Sequence, residues 1–334
     1  MEERVTLSHG SGGRKMMELL EEVVFPLIGG GSPWNAEDAA ILDLPPGRLA
    51  ITTDSFVVQP PFFPGGDIGK LAVCGTVNDL AMRGARPLFL TMGLILEEGL
   101  PIETLRRALR SASEWARKAG VGIVAGDTKV VGRGQADGLY VNATGVGIVK
   151  ESLEVGISLA RPGDLLVING YVGDHEVAVL SCRDGLDLRV KVESDCAPLA
   201  SLVEAMLSAG DVHAMRDPTR GGLAAVLSEM ATASRVSLEL WEDRIPVREE
   251  VRAVCEVLGL DPLLMANEGK VVAAVRYDHA ERVLEAMRAH PLGRDASVIG
   301  RVGEGRPGEV VLVTPLGSRR LLRMPSGEQF PRIC

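Results

Sequence analysis

The 334-residue chain ends in a cysteine, Cys334, and a thiol at a chain end can carry a chemical group from one site to another. The stretch from Met324 to Cys334 holds two prolines and a glycine and shows neither helical nor strand periodicity, so it reads as a mobile tail. Extended at about 3.3 Å per residue, such a tail spans roughly 36 Å, far enough to enter a pocket and leave it. A lipid anchor is excluded by spacing, because a prenylated cysteine stands four residues from the end. Four aspartates, Asp38, Asp54, Asp79 and Asp127, fall in separate stretches of the first half, the last three beside Thr, Asn or Gly. Carboxylates so distributed suit Mg²⁺ bridging phosphates, since Mg²⁺ takes few protein ligands and completes its shell with substrate oxygens and water.

Other stretches suit the phosphates themselves. Gly126-Asp127-Thr128-Lys129 follows an apolar run and would present a carboxylate, a hydroxyl and an ammonium together at a strand end. Ser8-His-Gly-Ser-Gly-Gly13 supplies Gly10, Gly12 and Gly13, whose freedom at positive φ lets backbone amides wrap an anion. Arg216-Asp217-Pro-Thr-Arg220-Gly-Gly222 leads into an apolar helix and places free amides at its N-terminus. Asn78 and Asp79 are polar neighbours on an otherwise apolar helix; buried there, they need a partner, either a metal or substrate or a hydrogen-bonded core. Glu268 lies in Ala266-Asn-Glu-Gly-Lys270, just before an apolar strand.

Three familiar nucleotide motifs fail on context. Gly65 to Leu71 imitates a Walker A loop, but Pro64 replaces the first glycine and Leu71 the Ser/Thr. Gly120-x-Gly122-x-x-Ala125 precedes a strand instead of opening a helix, and Gly303-x-Gly305-x-x-Gly308 is followed by Glu309 to Thr314, also a strand. ATP would have to be held by another fold.

The elements that position these residues follow from apolar spacing. Helices are expected over 15–24, 71–81, 102–119 (opened by Pro101), 198–207 and 223–234. Strands are expected near 36–42, 49–55, 87–96, 121–126, 139–149, 212–215 and 271–275. A fresh turn and strand from Ala160 put a domain boundary near Ser158. The division is then a glycine-rich segment (1–35), an N-terminal domain (36–158), a C-terminal domain (159–317) and the tail (318–334).

Hydrophobic residues make up 46% of the chain, yet no run is long and apolar enough to span a bilayer. No secretory signal is visible, and five cysteines without CxxC spacing argue against a disulfide framework or zinc site, so a cytoplasmic protein with reduced thiols is expected. A net charge of −9 without a Lys/Arg cluster argues against nucleic acid as a partner.

In order along the chain, His9 to Gly13, Thr52-Thr-Asp-Ser55, Phe63 to Pro87, Gly126 to Val131, Arg216 to Gly222, Ala266 to Lys270 and the terminal Pro331-Arg-Ile-Cys334 resemble the HypE family of hydrogenase maturation proteins. Several of these strings are shared with the wider superfamily of aminoimidazole ribonucleotide synthetase, thiamine-monophosphate kinase and selenophosphate synthetase. The resemblance implies an α/β fold of two aminoimidazole ribonucleotide synthetase-like domains, a homodimer through the N-terminal sheets, and ATP with Mg²⁺ in a cleft near that interface. It implies that a HypF-like carbamoyltransferase loads Cys334 with a carbamoyl group. ATP-dependent dehydration then leaves a thiocyanate, which passes to a HypC–HypD scaffold as the source of the cyanide ligand of NiFe-hydrogenase. Glu268 becomes the base, Lys129 a second proton-transfer or charge-neutralising group, and Asp217 and Arg220 line the tail's path. The alternatives are a small-molecule kinase or synthetase of the same superfamily and a non-catalytic thiol carrier.

Overall fold

A largely apolar stretch, in which Lys70, Thr76, Asn78 and Asp79 are the polar residues, produces a helix buried on every side, and the molecule is arranged around it. The computed structural model describes residues 3–28, 39–183, 185–186, 188, 190–324 and 333–334. The chain opens with α1 (Arg14–Leu19), a π turn (Leu20–Val24) and α2 (Phe25–Ile28). It continues through β1 (Arg48–Phe56), the small hairpin β2 (Phe62–Phe63) and β3 (Gly66–Asp67), and α3 (Ile68–Met82). Then come β4 (Arg86–Glu97), α4 (Ile102–Ala119), β5 (Gly122–Val131) and β6 (Leu139–Val149). Asp67 caps α3 by accepting from the amides of Gly69 and Lys70 at 2.8 and 3.0 Å. Every residue of α3 except Asp79 is buried. Gly69 lets α3 close on α4, because a Cβ there would lie 2.0 Å from the Ala108 carbonyl oxygen.

The N-terminal sheet runs β1-β6-β4-β5, antiparallel except for the parallel pair β4 and β5. Helices α3 and α4 cover one face. The other is open and carries Leu49, Ile51 and Ile95 at 58%, 67% and 40% exposure.

The C-terminal domain follows as β7 (Leu165–Ile168), α5 (Asp174–Leu180), α6 (Ala200–Ala209), β8 (Val212–Arg216), α7 (Gly222–Ser234) and β9 (Ser237–Trp241). It ends with α8 (Glu249–Leu258), β10 (Val272–Val275), α9 (Ala280–Ala289), β11 (Ser297–Gly303), β12 (Val310–Val313) and β13 (Arg319–Leu321). Its sheet is ordered β13-β12-β9-β11-β7-β10-β8. Among the described residues, no helix is long and apolar enough to cross a membrane.

Two expectations are corrected. Residues 39–42 form no strand; 36–38, including Asp38, lie outside the described residues. The strand expected to stop at Gly126 runs on to Val131, because Thr128, Val130 and Val131 are good strand formers and pair with β4. Strand alternation then points Asp127 and Lys129 to one face and Thr128 to the other, so the three side chains are not presented together.

Candidate functional site

Asp79 projects from α3 toward β1, where Thr52 Oγ donates to its carboxylate at 2.8 Å. Asp54, two residues along β1, lies on the same face as Thr52. Across from them, the loop before α7 brings in Asp217, buried at 7% exposure, and the loop before β10 brings in Glu268 at 3%. Burial and the neighbouring Asp79 charge push Asp217 up to about 7, against the mild opposition of Arg216. Burial also raises Asp79 despite the Thr52 hydrogen bond. Glu268 is held well above the carboxylate range by burial, then by Cys196, Asp217, Asp195 and Asp54. Carboxyls this close raise one another's proton affinity, and a divalent cation would relieve that repulsion. No set of three or more His, Cys, Asp or Glu among the described residues is arranged to hold a metal by itself. A Mg²⁺ ion beside Asp54, Asp79 and Asp217 would thus have to draw most of its ligands from phosphate and water.

Side chains that hold its backbone fix Glu268. Asp195 accepts from the amides of Glu268 and Gly269 at 3.0 and 3.2 Å, and its buried carboxylate pairs with Lys270 at 3.0 Å. Gly269 is obligatory in this clamp, since a Cβ would stand 1.8 Å from the Asp195 carbonyl oxygen. Asn78 donates to the carbonyls of Ala197 and Glu268 at 3.1 and 3.2 Å and accepts from the Leu199 amide at 2.8 Å. Both its donors and its oxygen are occupied in joining the domains, so of the two partners open to it, the hydrogen-bonded core is the one found. Asn267 ties the loops together, donating to Pro218 and Met265 carbonyls and accepting from the Gly173 amide.

The end of the same chain occupies this cleft. Ile333 is buried at 4% exposure, and the Val57 amide donates to Cys334 at 3.3 Å. The Cys334 thiol is pushed well up, first by burial and next by Glu268, while exposed Arg220 opposes the rise. Pro331 and its neighbours from 325 to 332 lie outside the described residues.

The remaining site residues are elsewhere. Ser55, Asn142, Gly93 and Asp127 are register partners across the N-terminal sheet and share its open face. There Asp127 pairs with Lys129 at 2.9 Å, at 60% and 66% side-chain exposure, and Lys129 lowers the Asp127 pKa. Within one chain, Asp127 and Lys129 thus stand across the sheet from Asp54 and Asp79, and Thr128 is buried on the helix side. The glycine-rich segment begins as a 3-10 turn, Leu7–Gly10, alongside β5. Gly10 packs on Val130, where a Cβ would be 2.8 Å from the valine Cβ, Gly12 takes φ +74°, and Gly13 precedes α1.

Asp195, Asn267 and Thr52 escaped the reading of motifs for chemistry. Thr52 and Asn267 lie inside quoted strings, so adjacency to Asp54 and Glu268 could have flagged them. Asp195 acts on amides more than seventy residues away and leaves no local signal.

Residues 36–149 match the family described as AIR synthase related protein, N-terminal domain, and residues 161–313 match its C-terminal domain. The chain is 50% identical over 331 residues to the carbamoyl dehydratase HypE of Azotobacter vinelandii, covering 99% of this chain and 97% of that one. Among solved structures it is similar to a hydrogenase maturation protein HypE in complex with ATP, with TM-score 0.92 and 47% identity over 98% of this chain and 99% of that one. It is also similar to a chain of a HypE–HypF complex, with TM-score 0.81 and 47% identity over 92% and 99% of the two chains.

Proposed function

The chain belongs to the HypE family of hydrogenase maturation proteins, and from that premise we propose that it uses ATP to dehydrate a carbamoyl group carried on the sulfur of its own Cys334. The observation that carries this reading is the seating of Ile333 and Cys334 in the cleft beside Glu268. The carbamoyl oxygen attacks the γ phosphorus of ATP as ADP departs, and the nitrogen gives up one proton. Phosphate then leaves with its oxygen and the second nitrogen proton, the C–O bond breaks, and the C–N bond becomes triple, giving a thiocyanate.

Glu268 suits the proton-removing role because a carboxylate with a raised pKa is a strong base once ionised. Asp54, Asp79 and Asp217 would hold Mg²⁺, which would neutralise the triphosphate. Arg220 offsets charge near the thiol, and the Asn78 and Asp195 contacts keep Glu268 in register. In a homodimer joined through the open sheet faces, where Leu49, Ile51 and Ile95 are exposed, Asp127 and Lys129 line the seam. There Lys129, the Thr128 amide and the glycines at 10, 12 and 13 serve the nucleotide phosphates.

In this scheme residues 36–158 bind nucleotide and dimerise, 159–317 receive the tail, 1–35 close the cleft and 318–334 move the thiol. A HypF-like carbamoyltransferase supplies the carbamoyl group, and a HypC–HypD scaffold takes the product. Free cysteines throughout suit a cytoplasmic setting. The test is to carbamoylate the chain with its transferase, add Mg-ATP and weigh the C-terminal peptide. ATP-dependent loss of one water is expected; a carbamoylated peptide whose mass ATP leaves unchanged would overturn the proposal.

A further inference from the structure

His175, on α5, has no solvent exposure and no part in the chemistry above. Its Nε2 lies 3.0 Å from the carbonyl oxygen of Ile333, and its Nδ1 lies 2.8 Å from Ser194 Oγ. A carbonyl oxygen only accepts, so Nε2 carries the proton and donates it. Burial lowers the His175 pKa and keeps the ring neutral, which leaves Nδ1 to accept from the Ser194 hydroxyl. Ser194 Oγ in turn accepts from the Cys196 amide at 3.1 Å. The donors and acceptors of the set are thus matched without any charge. The edge of Phe63 meets the imidazole at 87° and 5.4 Å between centroids, fixing the ring plane.

We propose that His175, oriented by Ser194 and Phe63, is the positioning residue that latches the C-terminal tail in the cleft, gripping the last peptide group so that the Cys334 sulfur lies in register with Glu268. The grip is on main chain and on the residue before the cysteine: the His175 N–H takes the Ile333 carbonyl, the Val57 amide takes the terminal carboxylate, and the Ile333 side chain is buried in the apolar core. It is therefore indifferent to what the sulfur carries, and free, carbamoylated and dehydrated tails can be seated by the same three contacts. The residue after Ser194 is Asp195, whose carboxylate holds the Glu268 and Gly269 amides. One segment, 194–196, thus fixes both the tail's latch and the base's loop. The latch stands on this geometry whether or not the dehydration reading holds, so its test needs no turnover.

The experiment is timed alkylation of the full-length protein by iodoacetamide, with each cysteine-containing peptide quantified by mass spectrometry. Exposed Cys182 calibrates the reagent, and buried Cys196 and Cys255 report the integrity of the core. His175→Phe keeps an aromatic ring but removes the donor; loss of one buried hydrogen bond predicts Cys334 alkylation about tenfold faster. Cys196 and Cys255 should keep their wild-type rates. His175→Gln, which can present an N–H near the Nε2 position, should fall between the wild type and His175→Phe. Ser194→Ala, a milder change that keeps the proposal testable should the ring substitutions impair folding, predicts a rise of about threefold. An unchanged Cys334 rate in the Phe and Ala variants would overturn the latch. So would equal acceleration of Cys334, Cys196 and Cys255, or a Gln variant as fast as Phe.

Discussion

Asp79 and Asp127 both belong to the N-terminal domain, yet they sit on opposite faces of its sheet and in opposite electrostatic states. Asp79 lies on the helix side, half-buried among Asp54 and Asp217, with its pKa raised by burial. Asp127 lies on the open side, paired with Lys129 in solvent, with its pKa lowered by that partner. The difference shows where each face gets its counter-charge. The open face supplies its own, so it is stable as it stands and gains a role only when something covers it. The buried face leaves several carboxyls uncompensated, which costs stability and creates a demand that a metal-bound phosphate can meet.

The largest effect is expected at the most deeply buried carboxyl of the cleft, Glu268. Glu268→Gln should lower ATP-driven dehydration of carbamoylated Cys334 by about 10²–10⁴, the range for losing a general base, while carbamoylation by the transferase continues. Single-turnover mass analysis of the C-terminal peptide reads both.

Asp217 comes next. Its folded-state value near 7 stands above the ordinary 3.8. Between these values the unfolded chain has released a proton that the folded chain retains, so the group's contribution is full below the lower value and is lost as pH rises through the upper one. Asp217→Asn removes that slope. Its thermal stability relative to wild type should improve between about pH 5 and about pH 8 by on the order of 2 kcal/mol, measured by denaturation at both pH values. The same substitution should weaken the stabilisation that Mg-ATP gives the wild type.

On the open face, the proposed homodimer predicts that Ile51→Glu shifts sedimentation from dimer toward monomer while each chain stays folded, since Ile51 is 67% exposed within one chain. The smallest effect on stability belongs to Lys129→Ala. Losing an exposed ion pair should change unfolding free energy by no more than about 0.5 kcal/mol, even as ATP use falls. A large stability loss there would mean that the two faces are not organised as described.

Much of this framework was legible in the sequence because it rests on local pattern. The apolar spacing that marks α3, the Pro101 start and Gly120 stop of α4, and the alternation in β6 each follow from a single stretch of chain. The acids of the buried cluster were legible by type and setting, since Asp79 stands out on a largely apolar helix and Asp217 opens the Asp-Pro-Thr-Arg stretch before a glycine pair. Sidedness was not legible. Asp127-Thr-Lys129 reads like a loop by composition, and only pairing with β4 turns it into a strand whose alternate residues part company. Contacts such as Asp195 with the Glu268 amide, or His175 with the Ile333 carbonyl, recognise backbone. Backbone is the same for every residue, so nothing in the partner's sequence marks such a contact.

In the proposed function each chain's Cys334 is processed in that chain's own cleft, and subunit exchange distinguishes this from processing in the partner's. Carbamoylated Glu268→Gln chains, which keep their thiol, are mixed with Cys334→Ala chains, which keep their base, and given Mg-ATP after the subunits have exchanged. The mixture is expected to form no more thiocyanate than Glu268→Gln alone; turnover restored toward the wild-type level would instead place the tail in the partner's cleft.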